Sequence, residues 1–386
     1  MMKRTAIHTI CIALTASLAG VLSTAHALEE YEGYYFYIGD YPYDANPGWH
    51  EDVQGVTHDD DYWFITQSVE DDPGRQAIWK IPVGFALASA AVPGINGVRR
   101  VLMIDYPALV AQGYWHFGDP SYYRFEGQGY LIVPVEFECW GIAIFNADTL
   151  ALIGSAPLCT YQTGGVPWCA VDPRNGLLYS SGYSAAVWMN EYQVNWSELH
   201  QGQALELNHM RRVYWGDLNL ILSHVQGGVF SPSGELLYIV ADGIHVFETE
   251  TWRRIKQSTN GSGVFNYEFS PGFSEYEEPE GLTIWDLEDG RAPDVWGELH
   301  VLLLDNDVSA DEIYFKHYRR SIFVDAANTG LQTGDPAHPF RTVVMAHYFA
   351  WDGARISIKA GHYPETLTLD KRVQLVARGG TAVIGE

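Results

Sequence analysis

A unit of short apolar strands, each opened by Gly or Pro and broken by polar turns, recurs about every 55 residues between Trp49 and Arg320. No other feature restricts the fold as much. The first copy runs Gln54-Gly55-Val56-Thr57-His58, three aspartates, Tyr62-Trp63-Phe64-Ile65-Thr66, then Ile78-Trp79-Lys80-Ile81. The second has Gly118-Asp119-Pro120, then Tyr130-Leu131-Ile132-Val133 and Gly141-Ile142-Ala143-Ile144-Phe145. A third starts at Pro167-Trp168-Cys169, a fourth at Gln226-Gly227-Gly228, and a fifth at Glu280-Gly281-Leu282. These short apolar runs, broken by Gly, Asp, Asn and Pro, predict antiparallel strands and leave no room for long helices.

Strand, turn, strand and hairpin at that spacing describe one blade of a β-propeller, and blades set around an axis bury both faces against their neighbours. The expected fold class is all-β: a five-bladed propeller with a short C-terminal β-helix-like module. Six blades stay open at this stage, because the stretches from His58 to Trp115 and from Asn190 to His224 are long enough to hold another one. The run Tyr34-Tyr35-Phe36-Tyr37-Ile38 is expected to pair with the last blade and close the ring. Most of the Trp, Tyr and Phe in these runs are expected in the core between blades. The Gln54-Gly55-Val56, Gln226-Gly227-Gly228 and Glu280-Gly281-Leu282 openings, with turns such as Asp172-Pro173-Arg174-Asn175-Gly176, resemble secreted bacterial propellers of the broad NHL-like and calcium-dependent phosphatase-like kind.

After Arg320 the texture changes. Phe323-Val324-Asp325-Ala326-Ala327-Asn328-Thr329-Gly330, Asp335-Pro336-Ala337-His338-Pro339-Phe340-Arg341-Thr342 and Ile356-Ser357-Ile358-Lys359-Ala360-Gly361-His362-Tyr363-Pro364-Glu365 resemble the opening of pectin-lyase-like right-handed β-helices. That resemblance implies inward positions at Ile356, Ile358, Leu367, Leu369, Val373, Leu375 and Val376, and a capping helix over 343–349. The residues quoted do not reach the later coils that carry catalysis in such proteins, so no activity is carried over.

The N-terminus combines Lys3 and Arg4, an apolar run to Leu22 and Thr24-Ala25-His26-Ala27, the layout of a cleavable secretory signal. The expected division is therefore residues 1–27 signal peptide, 28–320 propeller and 321–386 tail module, in a secreted or periplasmic protein with no membrane span after cleavage. The formal charge is −25, and removal of Lys3 and Arg4 takes it to about −27. Binding to nucleic acid requires clustered Lys and Arg that this chain lacks, so no nucleic-acid partner is expected. Of Cys139, Cys159 and Cys169, two are expected to pair in an oxidising compartment and one to remain a thiol; spacing alone does not say which.

In a propeller the inner strand of each blade starts at the same rim of the axis, so residues just before each opening should converge. Those positions hold His50, Glu51 and Asp52; His116 and Asp119; Trp168; His224 and Gln226; and Glu277, Glu278 and Glu280. Carboxylates such as Asp52, Asp119 and Glu280 could together hold calcium, which takes 6–8 oxygen ligands. Three histidines among them could instead hold zinc and activate water. The plain alternative is that these groups bond water and one another. Asp59-Asp60-Asp61 lacks the spacing of a calcium loop and is expected to be a hairpin turn. The expected function is an extracytoplasmic binding or scaffold protein whose propeller face recognises a glycan, peptide or protein surface. The alternative is a metal-dependent hydrolase, a phosphoesterase, acting at the channel mouth.

Overall fold

The computed structural model describes residues 35–385 apart from 44, 70–71, 217–219, 259–276, 306–311, 333, 335, 337 and 351–353. Residues 1–27, expected to be a signal peptide, together with Tyr34 and the side chain of Glu277, lie outside the described residues.

Five antiparallel sheets among the described residues form a five-bladed β-propeller. From the axis outward, the first blade is β2 (Val53–His58), β3 (Tyr62–Ser68), β4 (Gln76–Pro82) and β5 (Arg99–Leu102). In the second blade the inner position is shared by β6 (Tyr114–Phe117) and β7 (Ser121–Phe125), both paired with β8 (Gln128–Phe137); β9 (Gly141–Asn146) and β10 (Leu152–Pro157) follow. The third holds β11 (Ala170–Val171), β12 (Leu178–Ser180), β13 (Trp188–Val194) and β14 (Leu207–Tyr214). The fourth holds β15 (Gly227–Phe230), β16 (Leu236–Val240), β17 (Ile244–Glu248) and β18 (Arg254–Gln257).

The fifth blade is completed by the other end of the chain. Its β19 (Glu277–Ile284), β20 (Leu299–Asp305) and β21 (Glu312–Arg319) are joined on the outside by β1 (Phe36–Asp40), with Phe36 opposite Arg319 and Asp40 opposite Lys316. The expected closure by the N-terminal run is thus what forms. The two long stretches that left a sixth blade open supply outer strands of the first and third blades.

Alternation explains the packing. On β3, Trp63 and Ile65 join Trp285, Leu302 and Phe315 in the seam between the fifth and first blades, whereas Phe64 joins Leu131, Val133 and Phe145 in the seam between the first and second. Tyr130, Ile132 and Tyr192 fill the next seam, Trp168, Tyr179 and Ile239 the one after, and Tyr238, Leu282 and Val301 the last. A strand buried on both faces needs apolar residues at successive positions, which is why these runs read as nearly continuous.

The cysteine pair is Cys139–Cys159, with Cα atoms 5.9 Å apart. It joins the ends of β8 and β10, which flank β9. Cys169 is a buried thiol. Asp59 turns the first hairpin, its carboxylate accepting from the N–H groups of Asp61 and Tyr62 at 2.8 and 2.7 Å.

The tail shows a small sheet, without the coils of a β-helix among the described residues. β22 (Ser321–Val324), β23 (Arg355–Tyr363) and β24 (Gln374–Ile384) make one small three-stranded parallel sheet, with α2 (Val343–Phe349) against it once α1 (Trp196–His200) is counted in the third blade. Thr342 Oγ1 accepts from Met345 N at 3.1 Å, and Glu365 accepts from Val343 N and Val344 N at 2.8 and 2.9 Å, so three of the helix's free N–H groups are capped. Lys371 Nζ donates to the carbonyls of His347, Tyr348 and Ala350 at the other end. Ile356 and Ile358 are buried as expected, but Leu369, which lies between β23 and β24, is exposed.

Candidate functional site at the propeller mouth

The axis is closed. Asp119 sits in the break between β6 and β7, and its carboxylate spans the centre: Oδ1 accepts from Val56 N of the first blade at 3.0 Å, Oδ2 from Gly228 N of the fourth at 3.1 Å. Its main chain also bonds the third blade, through Asp119 N to Pro167 O at 2.8 Å. Three glycines surround it. A Cβ on Gly55 would stand 2.3 Å from Asp119 Cα, one on Gly281 2.4 Å from Asp119 Oδ1, and one on Gly227 2.7 Å from Gly281 Cα. Only glycine lets the inner strands approach this closely. Burial pushes the Asp119 carboxyl well above the ordinary aspartate range, while the two N–H donors pull it back.

Above this plug lie the residues that precede the glycines. The ladder bulges between Val53 and Gly55 and between Pro279 and Gly281, which re-aims Gln54 and Glu280. Gln226 Nε2 donates to Glu280 Oε1 at 3.1 Å. The other Glu280 oxygen is buried and meets no hydrogen-bond partner among the described residues. Burial raises the Glu280 pKa most, followed by the negative charges of Glu278, Asp52 and Asp119. Tyr183 borders the same group: burial raises its phenol, and Glu278 and Glu280 raise it further. The His224 ring meets Tyr183 edge-on at 5.3 Å, and its backbone adopts φ +56°.

The structure therefore brings together Asp52, Asp119, Gln226, Glu278 and Glu280, with His224 reaching the rim through Tyr183. Other expected members serve elsewhere. Glu51 is exposed and bonds Arg75 at 2.6 Å; His50 Nδ1 accepts from Gly48 N at 3.1 Å. His116 stands opposite Glu136, whose partly buried carboxylate accepts from Val166 N. Trp168 is core: its ring fills the space beside Gly228 and its N–H donates to Ser181 Oγ at 2.9 Å. As a calcium set, Asp52, Asp119 and Glu280 fit poorly, since each Asp119 oxygen is taken by a main-chain amide. Among the described residues no group of three or more His, Cys, Asp or Glu is disposed to hold a metal ion. Sequence reading missed Tyr183 and the structural duty of Asp119; the repeated Gln-Gly and Glu-Gly pairs were the signal for the glycine ring.

The class this architecture defines is the five-bladed β-propeller. No family model and no curated relative matches the sequence. Solved structures similar to it include the Malassezia sympodialis allergen Mala s 1, at 10% identity and TM-score 0.40 over 74% of this chain and 81% of that one. A nidogen/laminin complex follows at 11% identity and TM-score 0.36 over 70% and 85%, and a β-propeller domain from Myceliophteria thermophila at 10% and 0.34 over 66% of each. At these scores the likeness adds nothing to what the strand pairing already shows.

Proposed function

We propose that this chain is an extracytoplasmic binding or scaffold protein that receives a protein partner on the propeller face bearing Asp52, Glu278 and Glu280. The observation that carries this is the carboxylate-lined mouth above a plugged axis. Partly exposed Asp52 and Glu278 gather there beside buried Glu280, which suits a cationic side chain presented by a partner. The overall acidity adds long-range attraction for such a surface. The Cys139–Cys159 bond supports an oxidising compartment. Among the described residues no helix is long and apolar enough to cross a membrane. The hydrolase reading loses Asp119 as a metal ligand and is less well supported. In the tail, the in-register stacking of Ile322, Ile356 and Leu375 supports a β-helix-type beginning, which we read as an attachment module.

The test is titration with an oligolysine peptide by calorimetry. Binding that weakens at least tenfold in Glu278→Gln/Glu280→Gln at unchanged melting temperature fits the proposal. Equal binding by both proteins, or none by either, refutes it.

A further inference from the structure

At the other end of the inner strand that starts beside Asp119, about 20 Å away along β7, a cleft of about 610 Å³ opens between blades two and three. One wall is Phe125 at the tip of the β7–β8 hairpin; the other is the connection from β13 through α1 to β14, with Gln193, Glu198, Gln203, Glu206 and Asn208. Its size is that of small-molecule sites, about 300–1,000 Å³.

The cleft is preformed. Trp196 forms a fixed floor, its N–H bonded to Gly176 O at 2.8 Å and its ring against Tyr123 and Tyr130 at 4.8 and 5.4 Å. Asn195 clamps the returning chain, donating to Ala204 O and accepting from Glu206 N, both at 2.9 Å. A wall fixed beforehand loses little freedom on binding.

The lining, by contrast, is uncommitted. Gln193 and Asn208 face each other across the β13–β14 ladder and are exposed. Among the described residues their side-chain amides, and that of Gln203, make no hydrogen bond. An amide donates and accepts from separate atoms, as a sugar hydroxyl does from one. Glu198 and Glu206 add acceptors and repel uronates or phosphates, while Phe125 offers a ring to the apolar face of a pyranose.

We propose that this cleft binds a neutral oligosaccharide. The site is separate from the mouth, and the proposal stands whether or not the mouth receives a protein.

The experiment is a glycan microarray of neutral oligosaccharides, polyuronates and sulfated glycans, followed by calorimetry with the best-bound glycan. Binding is expected to neutral members alone. It should fall at least tenfold in Gln193→Ala/Asn208→Ala and in Phe125→Ala, at unchanged melting temperature, and stay the same in Glu278→Gln/Glu280→Gln. Capture of acidic glycans alone, capture of none, or an affinity indifferent to both cleft variants overturns the assignment.

Discussion

The blades and the sheet after Ser321 use similar residues to opposite ends. A blade strand such as β3 buries Trp63 and Phe64 on two faces, each in a different seam. β23 buries Ile356 and Ile358 in a cluster with Val343 and Ala346 of α2, whereas β24 has no buried residue and leaves Val383 exposed. Burial on both sides ties every blade to the ring, whereas the tail relies on local caps. Changes in the ring should therefore cost much more than changes in the tail.

The sharpest contrast is expected from Trp63→Ala, which opens a cavity where Trp285 and Phe315 meet and should lower unfolding free energy by about 3–5 kcal/mol in urea titration. Asp119→Ala should follow at about 3 kcal/mol, because Val56 N–H and Gly228 N–H are left buried and unpaired at about 1–3 kcal/mol each. In the tail, Glu365→Ala removes an acceptor from two helix N–H groups; a loss of about 1 kcal/mol is expected, read by hydrogen exchange within α2. Val383→Ala, on the open face, should change stability by less than about 0.5 kcal/mol.

The junction between the two regions adds a pH dependence of its own. Burial pushes the Glu288 carboxyl up to about 8, with Arg319 opposing and Glu298 and Asp286 reinforcing the rise. In the unfolded chain the group returns to about 4.3. Between those values the folded state holds the extra proton, so this group's contribution to stability falls as pH rises from about 4.3 to about 8. Glu288→Gln should flatten that part of a pH series of urea midpoints; an unchanged slope would remove Glu288 as its source.

Much of the ring was legible because burial on both faces writes itself into the chain: Tyr62-Trp63-Phe64-Ile65 fits no solvated strand, and Gln-Gly or Glu-Gly pairs mark three inner strands. The site was legible only by position. Asp119 reads as one more acid at a rim, since its partners are main-chain N–H groups far along the chain that leave no mark on sequence. His50, Glu51 and Trp168 share the expected placement yet turn to other partners, and His116 stands on β6 opposite Glu136. Gln193 and Asn208 become neighbours only through β13–β14 register, which a hairpin of that length does not announce. The tail reads like a solenoid because parallel strands share one pattern whether they continue into coils or make only a small sheet.

The plugged axis is the central claim, and a double-mutant cycle between Gly281 and Asp119 tests it most directly. Gly281→Ala alone should be severely destabilising, since its Cβ would stand 2.4 Å from Asp119 Oδ1. Combined with Asp119→Ala it should cost clearly less than the sum, with a coupling of about 1–3 kcal/mol. Strict additivity would mean that the two residues do not meet at the centre of the ring.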